Sequence, residues 1–418
     1  MQRRDFLAAG LYAPVLLGGC KLTMEQGLFG QCRAEAKPAV LRDPLVEEAW
    51  AGVRPDRVWD SHAHLFGNGR SRSGIWVDPD FDRPRSVGAM ARRAFFMNGA
   101  CVGADEEHLD QAMVARLGAL ADQLPAGAKV MLLAFDFTYD ETGKRREDLT
   151  TFAVPDGYAQ RIARLRPERF EWIASIHPYR DDAVAALEAA RAGGARAVKW
   201  LPPTMAIDLS SPRCESFYAA LKRLDLPLLV HVGEEQAVHG AGRGELANPL
   251  FLRYPLDHGV RVIAAHCATL GASPDLDADR DPRRAAQVPD YELFARLMGE
   301  RRYEGLLFGD LSAVTQANRA PYLAAILARS REWEGRLLNG SDYPLPGIMP
   351  LFSITQLVGA GLLDERAVPV LRELRETNAL MFDFVLKRSL RHRGASFPAS
   401  AFETRGFFER AEGGMRNA

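Results

Sequence analysis

From residue 57 onward the chain repeats one pattern of apolar and polar positions. A short run rich in Val, Ile, Leu and Phe is ended by a polar residue, often His or Asp, and is followed by a loop and a stretch with helical spacing. Eight runs do this, at 57–66, 129–137, 170–179, 195–203, 227–235, 261–269, 304–313 and 336–344. Uninterrupted apolar runs, rather than alternating ones, predict strands buried on both faces. The intervals predict helices near 107–124, 158–165, 181–192, 215–223, 291–298, 322–328 and 365–387. The stretch 181–192 carries both end signals, an acidic first turn at Asp181-Asp182 and a stop at Gly193-Gly194. Strands alternating with helices form right-handed βαβ units on a parallel sheet, and eight units are the number that closes on itself. An open doubly wound sheet is the rival, but no G-x-G-x-x-G or G-x-x-x-x-G-K turn follows the first run. Histidine follows it instead.

The predicted fold class is therefore α/β, a (β/α)8 TIM barrel. Its longest interruption, 67–128, is too long for a simple strand-to-helix loop and reads as a lid or binding element. Arg70, Arg72, Arg83 and Arg85 within it would either greet an anionic substrate or lie in solvent.

Composition adds exclusions. The 418 residues hold 53 Lys plus Arg against 54 Asp plus Glu, a formal net charge of −1, so nothing advertises nucleic acid or another polyanion as a partner. With 47% hydrophobic and 26% charged residues the chain is ordinary globular material, neither disordered nor polytopic in a membrane. Five cysteines without a C-x-x-C pair argue against a zinc ribbon.

Residues 1–19 read as an address: a basic start, a short apolar core and small residues before Cys20. Arg3-Arg4-Asp5-Phe6-Leu7 resembles the twin-arginine export motif, and Leu17-Gly18-Gly19-Cys20 resembles a lipobox. The resemblance implies the twin-arginine export and lipoprotein-processing machineries as partners, lipidation of Cys20, and an exported bacterial lipoprotein that is periplasmic or anchored to the outer membrane. The apolar core is shorter than the roughly 20 residues that span a bilayer, so contact with the membrane is expected through the lipid anchor only. Residues 20–54 then read as a lipidated tether, 55–388 as the barrel and 389–418 as a C-terminal tail. Cys32, Cys101, Cys214 and Cys267 allow three pairings, and the reading taken here is buried free thiols.

The ends of the runs share one chemistry. Alternation along the first strand puts Asp60, His62 and His64 on one side. Later runs end in Lys199, His231, His266 and Asp342, where a barrel keeps its catalytic groups. Alone, each has a bland reading: a hydrogen-bonded histidine, a lysine that neutralises an inward carboxylate, an aspartate that caps a helix. Together, four His and one Asp in an otherwise apolar interior would be costly to bury without a cation, which implies a divalent metal. Asp60 is a candidate carboxylate for fixing a ligand's tautomer from behind. His177, Glu234, Glu235, His239 and Asp310 line the same mouth as candidate substrate contacts. Their bland readings are solvated loops, and for Asp310 a hold on a loop or a neighbouring His.

Asp60-Ser61-His62-Ala63-His64, His231-Val232-Gly233-Glu234-Glu235, Ala265-His266-Cys267 and Gly340-Ser341-Asp342-Tyr343-Pro344 together resemble the amidohydrolase superfamily, in its amidohydrolase-related (amidohydrolase 2) branch. The similarity runs over 57–387 and includes Thr377-Asn378-Ala379. It implies His62, His64, His231, His266 and Asp342 as metal ligands, with Lys199 at the position where binuclear members hold a carboxylated, metal-bridging lysine. With one ion, His62, His64, His231 and Asp342 would ligate while His266 orients water or substrate. Imidazole and carboxylate donors favour Zn²⁺, as one or two ions. The implied activity is a metal-dependent hydrolase that activates water against an amide, lactone or other ester of a small molecule, with Asp342 and His266 catalytic. Two alternatives stand beside it: a metal-dependent non-oxidative decarboxylase of an aromatic or unsaturated carboxylic acid, and a non-catalytic surface lipoprotein that binds ligands.

Overall fold

Each of the eight apolar runs forms a strand in the computed structural model, which describes residues 28–103, 106–238 and 240–409. The strands are β1 (Trp59–His64), β2 (Lys129–Leu133), β3 (Phe170–Ile173), β4 (Val198–Trp200), β5 (Leu228–Val230), β6 (Val262–Ala264), β7 (Leu307–Asp310) and β8 (Leu337–Leu338). Neighbours pair in parallel: Trp59 with Lys129, Val130 with Phe170, Val198 with Leu228, Leu228 with Val262, Val262 with Leu307, and Gly309 with Leu337. Two parallel bridges, Ala174 with Val198 and Ala63 with Tyr343, join the remaining edges. The ring closes, and the fold is the (β/α)8 TIM barrel.

Period-two alternation sorts the strand side chains into two cores. Inward residues of the strands (Trp59, Met131, Leu133, Ile173, Leu229, Ile263, Phe308 and Leu338), with Ala197 just before β4, fill the barrel, while Val130, Leu228, Val262 and Leu307 face the surrounding helices. The bottom of the barrel is sealed by Phe408 with Phe407 beside it, and Thr404 Oγ1 donates to the carbonyl of Trp59. Within the expected tail, residues 404–408 therefore close the bottom of the barrel, and Leu390, Phe397, Ala401 and Phe402 pack into the outer core.

The lead-in also differs from a tether. The helix Pro44–Trp50 buries Val46 and Ala49 and stacks Trp50 on Phe384 at 4.0 Å. Cys32 and Cys101 form a disulfide, which corrects the free-thiol reading for that pair; Cys214 and Cys267 are free and buried. The predicted helix 365–387 is two helices, Val368–Thr377 and Ala379–Ser389. Asn378 stands between them in extended conformation, its side chain accepting from the Leu380 and Met381 N–H groups. The long insertion holds a helix, Val87–Ala100, that no periodicity announced. Among the described residues no helix is long and apolar enough to cross a membrane. The export segment with Cys20, and His239, lie outside the described residues.

Candidate metal centre

The site begins with an irregularity in β1. The register against β2 shifts between Asp60 and Ala63, a bulge that turns both His62 and His64 toward the barrel mouth. Strict alternation does not survive that bulge. Asp60 parts from the histidines, and its carboxylate accepts from the backbone N–H of His62 (3.2 Å) and of Ser341 (2.7 Å), not from an imidazole. It pins β1 to the segment that carries Asp342. Gly340 makes that approach feasible, since a Cβ there would lie 2.5 Å from the Cβ of His62.

Asp342 stands at φ 62, and His266, Cys267 and Ala268 at φ 54, 49 and 51. Left-handed backbone costs an L-residue roughly 1–2 kcal/mol, and such strain persists where surrounding structure holds it, commonly at functional sites. Here it brings β6 and β8 side chains onto the β1 histidines. Asp342 Oδ1 lies 3.2 Å from His64 Nε2 and 3.5 Å from His62 Nε2, while Oδ2 lies 3.9 Å from His266 Nε2. The ring of His266 is 5.2 Å, centre to centre, from both His62 and His231. Lys199 Nζ comes within 3.4 Å of His62 Nε2.

Asp310, at the end of β7, takes the part foreseen for Asp60. His62 Nδ1–H donates to Asp310 Oδ2 at 2.8 Å, which directs the Nε2 lone pair of His62 toward His64 and Asp342. Ser312 Oγ–H also donates to Asp310, and His266 Nδ1–H donates to the Ser312 carbonyl at 3.1 Å. Asp310 is fully buried and occupied by these partners, so it is not a substrate contact.

The other expected contacts part company as well. His177 is a satisfied core residue: Nε2–H donates to Met205 O (2.9 Å) and Nδ1 accepts from the Tyr179 N–H (3.2 Å), which leaves no ring nitrogen for a substrate. Glu234 is exposed and bonded to Gln236. Glu235 turns inward instead, with Oε1 accepting from the Ala237 and Val238 N–H groups and Oε2 3.3 Å from His231 Nε2. In the insertion, Arg70 and Arg85 are paired with Asp82 and Asp80. The strand-end pattern does not single out one buried cation whose charge acts on Glu235 and Asp342. Arg319, after β7, is buried, and the cue for it was that no other charged residue occurs between Asp310 and Arg329.

Burial holds the imidazoles of His62, His231 and His266 below their ordinary range, hence neutral. Burial alone would raise Asp342, but the imidazoles that face it, with a hydrogen bond from His64, hold it well below the ordinary carboxylate range. Lys199 is pushed down to about 8 by burial. Neutral imidazoles beside an ionised carboxylate are the protonation states a metal requires. The donor set also fits one geometrically. His62, His64 and Asp342 offer ligand atoms within 4.8 Å of one another, and the buried Nε2 of His231 has no hydrogen-bond partner among the described residues. A second grouping, His62, His266 and Asp310, is closed by the hydrogen bonds just described. The cluster can therefore hold a divalent metal ion.

No curated protein matches the chain. Among solved structures, the chain resembles IDCase of Metarhizium anisopliae in apo form (13% identity, 86% of this chain and 98% of that one, TM-score 0.46). It also resembles 5-carboxyvanillate decarboxylase of Novosphingobium aromaticivorans complexed with manganese and 4-hydroxy-3-methoxy-5-nitrobenzoic acid (12%, 84% and 95%, TM-score 0.42). A third is 4-oxalomesaconate hydratase of Rhodopseudomonas palustris (14%, 68% and 81%, TM-score 0.36). The amidohydrolase family model (amidohydrolase 2) matches residues 59–347, from the first residue of β1 to just beyond Asp342. That span is well over half of the chain, and the chain belongs to the amidohydrolase family.

Proposed function

We propose that this chain is a metal-dependent hydrolase that activates a water to cleave an amide, lactone or other ester bond of a small substrate. The observation that carries the proposal is the Asp342 carboxylate facing three imidazoles from β1 and the end of β6. His62, His64, His231 and Asp342 would hold one divalent cation, and their nitrogen and oxygen donors favour zinc. When bound, such an ion supplies Lewis-acid polarisation of the scissile carbonyl and makes a water acidic enough to attack near neutral pH.

The remaining steps belong to this chain's side chains. Asp342, with an oxygen directed away from β1, accepts the proton of the attacking water and returns it to the leaving group. His266 keeps its Nδ1–H on the Ser312 carbonyl, so its Nε2 lone pair faces the mouth and orients the water or the substrate. Lys199 is assigned as an unmodified amine that balances Asp342 and Asp310, whose charges act on it, instead of a carboxylated bridge between two ions. The export reading belongs to the same proposal and is supported by the Cys32–Cys101 disulfide, a bond that persists in oxidising compartments.

The test is elemental analysis of the purified chain, followed by assay against small amides, lactones and esters in parallel with aromatic acids monitored for CO₂. One equivalent of zinc, with hydrolysis lost on chelation and in the His62→Ala plus His64→Ala variant, is the expected result. CO₂ release without hydrolysis would put the decarboxylase in its place. For export, Cys20→Ala is expected to abolish lipid labelling of the chain in cells.

A further inference from the structure

The helix Val87–Ala100 of the long insertion is packed at one end and bare along one face. Its buried positions are Met97, Gly99 and Ala100. A Cβ on Gly99 would lie 2.4 Å from the Ile348 side chain, so that end sits tightly on the segment beyond β8. Helical spacing sets Val87, Met90, Ala94 and Phe95 on one face, and Val87 and Met90 are 83% and 51% exposed. The lead-in adds to the same face. Phe29 stacks on Phe95 at 5.2 Å, and Phe29 and Leu28 are themselves 50% and 42% exposed. Among the described residues six large apolar side chains are exposed, and Leu28, Phe29, Val87 and Met90 are four of them. A helix rises 1.5 Å per residue, which puts Val87 about 12 Å from Phe95 along the axis, so the four make one patch.

The lead-in is laced to this helix by more than the ring stack. Gly30 N–H donates to Asn98 Oδ1 (2.8 Å), Asn98 Nδ2 donates to the Gly30 carbonyl (3.1 Å), and the Cys32–Cys101 disulfide ties the helix's C-terminal end. Leu28 is thereby held at the patch, and Cys20 stands eight positions before it. Eight residues reach at most about 29 Å, so a lipid on Cys20 keeps a bilayer within that distance of the patch. The helix carries Arg92 and Arg93 and no acidic residue, which suits anionic headgroups. Contiguous exposed apolar surface marks a docking face, and the nearest apolar partner for this one is the bilayer to which the same end of the chain is tied.

We infer that the helix Val87–Ala100, together with Leu28 and Phe29, lies in the surface of the bilayer that anchors the chain, so that membrane contact extends beyond the lipid. This rests on the reading of Cys20 as lipidated. Apolar side chains of an interfacial helix enter by about 5–10 Å, to the boundary between headgroups and acyl chains, and the four exposed side chains supply that contact. A lipid alone leaves the barrel free to turn at the end of its tether. The patch fixes the side of the barrel beyond β8 against the bilayer.

The test reads depth, because a lipid by itself already gives attachment. Tryptophan replaces Val87, Met90 or Leu165 singly in the full chain, which is purified from cells with its lipid and reconstituted on vesicles of phosphatidylethanolamine and phosphatidylglycerol. Phosphatidylcholine brominated high on its acyl chains is mixed in as a quencher. Val87→Trp and Met90→Trp are expected to add blue-shifted emission that the bromines quench, and a further Val87→Asp is expected to withdraw the quenching from the Met90→Trp chain. Leu165→Trp, at an exposed apolar position on the helix Asp156–Leu165, is expected to add emission that stays unquenched. Unquenched tryptophan at 87 and 90, on a chain whose mass shows lipid on Cys20, overturns the inference and leaves the export reading standing; cross-linked dimers would then make a second copy the occupant. Equal quenching at 165 overturns it as well, since tryptophan itself and not the patch would be seeking the bilayer. Quenching at 87 and 90 on a chain without the lipid keeps the membrane face and removes the lipidation. No lipid and no quenching removes both.

Discussion

Replacing Asp310 with Asn tests the proposed metal centre through a residue that would not touch the metal. Asp310 Oδ2 accepts from His62 Nδ1–H (2.8 Å) and from the Ser312 hydroxyl, while Oδ1 accepts from the Ser312 N–H (2.9 Å). The amide of Asn has one oxygen and one NH₂ to set in these two places. With NH₂ toward His62, the amide donates to Nδ1 and drives the imidazole proton onto Nε2, which points at Asp342 and Lys199. With NH₂ toward Ser312, two donors meet in a buried place, at a cost of about 1–3 kcal/mol. Either arrangement weakens the presentation of the His62 lone pair. Groups that orient a ligand in this way are typically worth about 10- to 100-fold in metal affinity, or about 1.4–2.7 kcal/mol. The assay is competition for zinc against a chromophoric chelator, with circular dichroism to confirm the fold. Asp60→Asn is the control, because a side-chain amide oxygen can still accept from the His62 and Ser341 N–H groups, and near-parental affinity is expected. Parental affinity in Asp310→Asn would refute the tautomer argument.

Asp342→Asn is expected to lower turnover by about 10²- to 10⁴-fold, the usual scale for losing a positioned base, with the melting temperature retained; near-normal rates would remove Asp342 from the mechanism. Phe408→Ala opens the sealed bottom of the barrel and should cost about 3–5 kcal/mol in chemical denaturation, while zinc content per folded chain stays the same. Asp156 is pushed up to about 7 by burial and by the nearby Asp136, against 3.8 when unfolded, while its carboxylate accepts the Ser175 N–H at 2.8 Å. The fold thus keeps a proton that the unfolded chain has lost, so this contribution to stability is full below about pH 4 and disappears as pH rises through 7. The expected loss is a few kcal/mol at about 1.4 per unit, and Asp156→Asn should flatten that slope. An unchanged slope in the variant would assign the pH dependence to other groups.

The barrel was legible because strands buried on both faces must be continuously apolar, and that property is local to each run. The histidines and Asp342 were legible for a related reason: a barrel's interior has few uses for polar groups, so those that end its strands stand out. What escaped depends on partners far along the chain. Helix 365–387 breaks because Asn378 satisfies the next helix's N–H groups with its own side chain, a local signal overridden by the apolar periodicity around it. Cys32 finds Cys101 across 69 positions, and Phe407 and Phe408 look like ordinary terminal aromatics until the open end of the barrel is there to receive them.

The exchange of roles between Asp60 and Asp310 shows where spacing rules stop. Two residues before His62 in sequence, Asp60 satisfies every local criterion for holding that imidazole, yet one bulge between Asp60 and Ala63 turns it onto backbone N–H groups. Asp310 lies 248 positions away and reaches His62 Nδ1 only because ring closure sets the end of β7 near the end of β1. Strand pairing decides which residues share the rim, but the tautomer of each histidine depends on which acceptor arrives behind it. Arg319 follows the same logic with the opposite outcome: among the described residues no acceptor arrives at its Nε or Nη1.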